Sequence, residues 1–144
     1  MKRQSYTLRT IILGMLVMLA VSMAHAQIGG GVLKVKVPFS FSVGTQTFPA
    51  GEYSLKPLLP HTMSLRNQRG QVLTFIGTNS IESNEVQRSV KLVFNGYDGH
   101  YFLTQIWNEG DNIGRELTKS PAEIELAKKY SPGQQIALLV GTHR

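Results

Sequence analysis

Alternation of apolar and polar residues is the dominant pattern of the chain after its first thirty residues. From Leu33 to Val43 every second residue is apolar, and lysine and serine fill most of the positions between. A period of two places these apolar side chains on one face of a β-strand. Pro38 cannot donate a ladder hydrogen bond, so it predicts an edge position, a bulge or a break into two strands.

Further short alternating segments follow, separated by turns rich in glycine, proline, asparagine and aspartate. They are 53–56, 63–66, 72–78, 88–94 and 101–107. Asn95-Gly96 and Asp98-Gly99 predict a hairpin loop between the last two segments, and the apolar run 136–140 favours a final buried strand. This spacing is typical of a mainly β fold, an antiparallel β-barrel or sandwich of about seven to eight short strands.

One C-terminal α-helix is predicted near residues 121–130. Ser120 supplies an N-cap hydroxyl, Pro121 suits the first helical position, and Glu123 is placed to close a capping box. The residues expected to share a buried face are Ile124, Leu126, Ala127 and Tyr130. We expect this helix to cover an open end or edge of the sheet.

The N-terminus has the features of a cleavable signal peptide over residues 1–26. An uncharged run from Ile11 to Val21 is too short to span a bilayer, and Ala24 and Ala26 form a small-x-small cleavage pattern ahead of Gln27. Three basic residues precede the run: Lys2, Arg3 and Arg9. The sequence therefore predicts Sec-dependent export to the periplasm or the cell exterior, without stable membrane insertion after cleavage.

Composition narrows the classes of function open to the mature chain. Cleavage after residue 26 would leave 118 of 144 residues: a flexible glycine-rich segment at 27–31 and a single β domain at 32–144. Of 15 basic residues 12 would remain against nine acidic ones, a net charge of +3 that does not indicate nucleic-acid binding. The chain has no cysteine, so disulfides and thiolate metal sites are excluded.

Three segments of the chain resemble a family of small exported bacterial proteins of unknown function. They are VPFSFSVG at 37–44, FPAGEY at 48–53, and GREL at 114–117 followed by Lys119, Ser120 and Glu123. The resemblance covers about Leu33 to Lys128. It implies an exported β domain and carries no catalytic residue, cofactor or reaction to this chain.

The residue types needed for catalysis or metal binding do not occur at suitable spacings. His61, His100 and His143 are isolated, without the paired spacing of a zinc or copper site. No G-x-S-x-G nucleophile elbow is present, and a cysteine nucleophile is impossible. We therefore expect no enzyme activity, no cofactor and no metal.

Trp107, Glu109, Asp111 and Arg115 are the candidate ligand-binding residues. An exposed tryptophan beside two carboxylates could stack on a sugar ring, and glycoside hydrolysis uses two such carboxylates. Alternatively, Trp107 ends a strand and is buried, with both carboxylates in a solvated turn. Arg115 could bind a carboxylate or sugar, or could tie the helix to the sheet through a carboxylate or backbone carbonyls.

The leading functional prediction is a non-catalytic binding or structural module. Its partner would be a protein, a small apolar molecule or a carbohydrate, and not a nucleic acid. A small-ligand carrier with an apolar barrel interior is the first alternative. The second is a polysaccharide hydrolase that uses Glu109 and Asp111.

Overall fold

The computed structural model of the chain describes residues 31–130 and 134–140. The predicted cleavage positions Ala24, Ala26 and Gln27 lie outside these residues. The strands are β1 (Leu33–Val37), β2 (Phe41–Val43), β3 (Gln46–Phe48), β4 (Gly51–Leu59), β5 (Thr62–Asn67), β6 (Val72–Glu82), β7 (Val90–Tyr97), β8 (His100–Trp107), β9 (Ile113–Leu117) and β10 (Gln134–Val140). The helix α1 spans Pro121–Lys129. The fold is therefore mainly β with one short helix, as the sequence predicts.

The strands form one mixed sheet rather than the predicted antiparallel barrel or sandwich. Neighbouring strands pair antiparallel in the order β1-β4-β5-β6-β9-β8-β7-β10. The exception is β2, which pairs in parallel with the start of β8 and antiparallel with β3. Within the described ranges β1 and β10 share no ladder, so the sheet does not close into a barrel.

The described part of the chain has ten strands, where the sequence predicts seven or eight. Pro38 breaks the first alternating segment into β1 and β2, and Gly44 then adopts a positive φ of 60° in the turn before β3. The segment after Trp107 also returns to the sheet as β9. In the hairpin between β7 and β8, Asp98 and Gly99 both have positive φ, which selects this dipeptide over Asn95-Gly96 as the two-residue turn.

The core lies on the inner face of the sheet, where side chains from all of its larger strands meet. Phe94 has no exposed surface, and Phe41 packs edge-on against both Phe94 and Tyr53. The remaining core residues are Val35, Val37, Val43, Leu55, Met63, Leu65, Ile76, Leu92, Leu103, Ile106 and Leu117. They follow the alternation of each strand, which confirms the faces predicted for Leu33–Val43.

The helix begins at the predicted Ser120 cap, but the side chain of Glu123 accepts hydrogen bonds from Asn95 and Tyr97 and does not close the predicted capping box. Ser120 Oγ accepts a hydrogen bond from the backbone N–H of Glu123 at 3.2 Å. Glu123 is buried, whereas Ile124 is exposed, so the predicted face is wrong at that position. The physical reason is that donors on β7 point outward and need an acceptor, which the carboxylate of Glu123 provides and Ile124 could not.

Candidate functional site

Trp107 is buried at the end of β8, with 5% of the residue exposed. Its Nε1 donates to Oε1 of Gln105 at 3.1 Å, and Nζ of Lys91 lies 5.3 Å from the ring centroid. A Cβ atom built on Gly114 would lie 2.5 Å from Cε3 of Trp107, so the indole packs directly on the backbone of β9. Little of the ring is open for a sugar to stack on.

The loop that carries the two candidate carboxylates is held by the side chain of Asp111 and by backbone hydrogen bonds to Gln87 in the loop before β7. Oδ1 of Asp111 accepts from the N–H of Ile113 at 2.9 Å, and the carbonyl of Asp111 accepts from the N–H of Gln87 at 2.9 Å. Glu109 is exposed to solvent. Asp111 lines a small cleft, and Glu109 is not among the residues that line it.

Arg115 links its own strand β9 to β6 and to the turn between β4 and β5. Its Nη1 donates to the carbonyl of Pro60 at 2.6 Å and to Oγ1 of Thr78 at 3.3 Å. The backbone carbonyl is the kind of partner expected of a structural arginine. However, it belongs to the turn between β4 and β5 and not to α1, so this guanidinium joins β9 to the neighbouring strands.

Asp111 and Arg115, two of the four candidate residues, line the same cleft. The cleft has a volume of about 100 Å³, and its other lining residues are Met63, Ser80, Ile106, Asn108, Ile113 and Gly114. Small-molecule sites usually have about 300–1,000 Å³. The cleft has room for ordered water, and a ligand-binding role for the four residues stays a prediction.

A much larger groove of about 900 Å³ lies along β1, β4 and β5, and Leu139 and Val140 of β10 also line it. We call it the basic groove because five basic side chains line it: Lys34, Lys36, Lys56, Arg66 and Arg69. Cross-strand register explains their convergence. Ser54 lies opposite both Lys34 and Arg66, so these three residues form one row across three strands, on the face opposite the core.

Opposite charge is scarce in the basic groove. Glu52 is its one acidic lining residue, and Oε2 of Glu52 accepts a hydrogen bond from Nε2 of Gln68 at 2.8 Å. Across residues 31–130 and 134–140 the ion pair found is Lys128 with Glu125, on α1. The groove thus holds five of the 12 basic residues expected after cleavage but one of the nine acidic residues.

Protection of a sheet edge explains only part of this charge. Lysines on the edge strand β1 would discourage pairing with another chain. Lys56 and Arg66, however, lie on β4 and β5, and both strands are paired on both sides. Nε of Arg66 donates to Oγ of Ser64 at 3.1 Å, which orients this side chain along the sheet. The basic groove is therefore a feature of the whole face.

Sequence reasoning missed the basic groove although part of its signal is visible. Lys34 and Lys36 stand at the polar positions of the first alternating segment, and Lys56 and Arg66 hold the same position in later segments. What links them is the register of β1, β4 and β5, which alternation alone does not determine.

In the described part of the chain, no group of three His, Asp or Glu side chains is placed to hold a metal ion. No helix there has both the length and the apolar composition needed to cross a bilayer. No protein-family model, curated protein or solved structure matches the chain.

Proposed function

We propose that this chain is an exported, non-catalytic binding module that holds an anionic ligand in the basic groove. The observation that carries the proposal is the convergence of five basic side chains with a single acidic one on one face of the sheet. The other seven basic and eight acidic residues of the expected mature chain nearly balance. The electrostatic potential that attracts anions is thus concentrated on this face.

The spacing of the charges supports a ligand with several negative groups. Adjacent strands lie about 4.8 Å apart, so Lys34 and Arg66 are separated by about 10 Å across the sheet. Lys34 and Lys36 are about 7 Å apart along β1, since the rise per residue is about 3.4 Å. A single carboxylate would engage only one or two of these side chains, whereas a polyanion would engage most of them.

The same groove supports binding rather than cleavage. Glycoside hydrolysis ordinarily requires two carboxylates that flank the scissile bond, and Glu52 is the one carboxylate lining the groove. The apolar carrier alternative gains no support either, because Phe94, Leu55 and Met63 fill the inner face of the sheet with buried side chains.

Calorimetric titration of the mature chain with polygalacturonate, a polyuronate, tests this function. We expect binding that weakens steeply with added salt, since exposed charges are screened within about 8 Å at physiological ionic strength. Lys36→Gln and Arg66→Gln should each reduce affinity, because each removes one charge from the groove.

Lys119→Gln is the matched control, because it removes the same charge from an exposed position outside the groove. Its affinity should equal that of the unmodified chain. Equal losses in all three variants would show that only net charge matters and would refute a site at the groove. Neutral dextran should not bind in any variant.

A further inference from the structure

Exposed apolar side chains border the basic groove on the same face of the sheet. Phe75 on β6 lies opposite Ser64, which in turn lies opposite Lys56, so Phe75 and Lys56 point to the same side. Phe75 is 64% exposed. Val72 lies opposite Arg66 and is also exposed. Leu59 lies opposite Thr62, two residues from Ser64 on β5, and is exposed as well. We call Val72, Phe75 and Leu59 the apolar rim.

A polyanion binding through its charges alone leaves the apolar rim without a role. Aliphatic side chains such as Val72 and Leu59 gain free energy by leaving water for an apolar phase, at roughly 25 cal/mol for each Å² buried. A hydrated polysaccharide offers no such phase. A membrane leaflet offers both acyl chains and, where its lipids are anionic, phosphate groups for the lysines and arginines.

We propose that the basic groove and the apolar rim together dock on the surface of a membrane containing anionic phospholipids. This inference rests on the proposed function and assigns its ligand class. Lys56 and Arg66 contact lipid phosphates, while Phe75 enters the boundary between headgroups and acyl chains. Contact is peripheral and requires no spanning segment, since the apolar side chains belong to the outer face of a folded sheet.

Two observations favour a lipid surface over a polysaccharide. Charge and apolar area are contiguous through cross-strand register, from Lys34 through Ser54 and Arg66 to Val72 in one row. The exposed aromatic ring of Phe75 lies on β6, outside the groove, and β6 is the neighbour of β5, which carries Arg66. A membrane leaflet would bury the basic groove and the apolar rim at the same time.

Sedimentation of the mature chain with lipid vesicles tests the inference. Vesicles of phosphatidylcholine mixed with phosphatidylglycerol should bind the chain, and vesicles of phosphatidylcholine alone should not. Arg66→Gln should weaken partitioning about fivefold, as expected for one basic residue near an anionic leaflet. Phe75→Ser should weaken it about tenfold through lost apolar burial, while polygalacturonate binding stays unchanged.

Val86→Ser is the matched control, because Val86 is 60% exposed but lies in the loop before β7, outside the rim. An equal loss of vesicle binding in Val86→Ser and Phe75→Ser would refute a specific role of the apolar rim in membrane contact. Circular dichroism of each variant checks that it remains folded. Phe75→Trp adds a direct readout, because insertion should shift the emission of the new indole to the blue and expose it to quenching by brominated acyl chains.

The outcomes separate this inference from the function on which it rests. Binding of polygalacturonate without binding of anionic vesicles would leave the anionic site standing and refute the membrane surface. Failure to bind either one would refute both. Vesicle binding without quenching of Phe75→Trp would also overturn the inference, since it would show adsorption through charge alone.

Discussion

The carboxylate of Glu123 on α1 accepts a hydrogen bond from the hydroxyl of Tyr97 on β7, with an oxygen–oxygen distance of 3.3 Å. Nδ2 of Asn95 donates to the same oxygen at 3.1 Å. Glu123 is only 3% exposed, and its position in the first turn places it near the positive end of the helix dipole. These contacts hold the helix on the outer face of the sheet.

Glu123→Ala should lower the free energy of unfolding by about 1–3 kcal/mol, because Tyr97 and Asn95 would lose their acceptor in a buried setting. Urea denaturation followed by circular dichroism measures the change. Glu125→Ala is the control, since its exposed pair with Lys128 should contribute less than about 1 kcal/mol. Equal losses in the free energy of unfolding for both variants would show that the buried hydrogen bonds of Glu123 contribute no more than the exposed ion pair of Glu125.

Stability should fall as the pH rises above 10. Burial raises the pKa of Tyr97, and the nearby charge and hydrogen bond of Glu123 add to this shift while Asn95 opposes it. Burial also raises the pKa of Tyr53, whose hydroxyl donates to the carbonyl of Pro49. Above the ordinary tyrosine pKa the unfolded chain therefore loses these protons first, which favours unfolding.

Thermal unfolding at a series of alkaline pH values checks this sign. Tyr97→Phe should unfold more readily at neutral pH, because a hydrogen bond is lost, but its stability should depend less on pH above 10. An unchanged slope in Tyr97→Phe would show that Tyr97 does not contribute to the alkaline transition.

Gly114→Ala should destabilise the fold by about 1–3 kcal/mol through overpacking. The added Cβ would stand 2.5 Å from Cε3 and 2.6 Å from Cδ2 of Trp107, closer than real contacts allow. Gly77→Ala on β6 is the control, because its Cβ would meet nothing within 4 Å. Denaturant midpoints measure both, and Trp107→Leu should partly rescue Gly114→Ala if the indole causes the clash.

Arg115→Ala should lower the melting temperature without changing the affinity for polygalacturonate. The guanidinium donates to Pro60 and Thr78, and loss of such bonds costs about 1–3 kcal/mol where the donor is charged. Arg115 does not line the basic groove. A variant with unchanged stability and weakened binding would instead place the anionic ligand at Arg115.

Local signals predicted much of the architecture because they depend on neighbouring residues. The Ser120 cap and Pro121 start α1 where expected, since both satisfy or replace N–H groups of the first turn. The burial of Glu123 in place of Ile124 was not predictable, because it depends on donors of a strand more than twenty residues earlier.

The candidate site residues show the same difference between what local sequence predicts and what contacts distant in sequence decide. Proximity in sequence suggested a site around Trp107, yet the structure buries this indole and leaves Glu109 exposed, outside the lining of the cleft that Asp111 borders. The five basic side chains of the groove come from positions 34 to 69, which no spacing rule connects. Pairing of β1 with β4 and of β4 with β5 is what assembles them.

The sequence by itself determined the strand faces, the limit that Pro38 sets on strand pairing, the hairpin between β7 and β8 and the capped helix. Each of these follows from side-chain alternation or backbone preference over a few residues. Tertiary structure decided which strands became neighbours, that β2 joined β8 in parallel, and that Lys34, Lys56 and Arg66 share one face. The physical reason is that strand pairing is a long-range contact, whose partner is selected by packing of the whole core and not by local sequence.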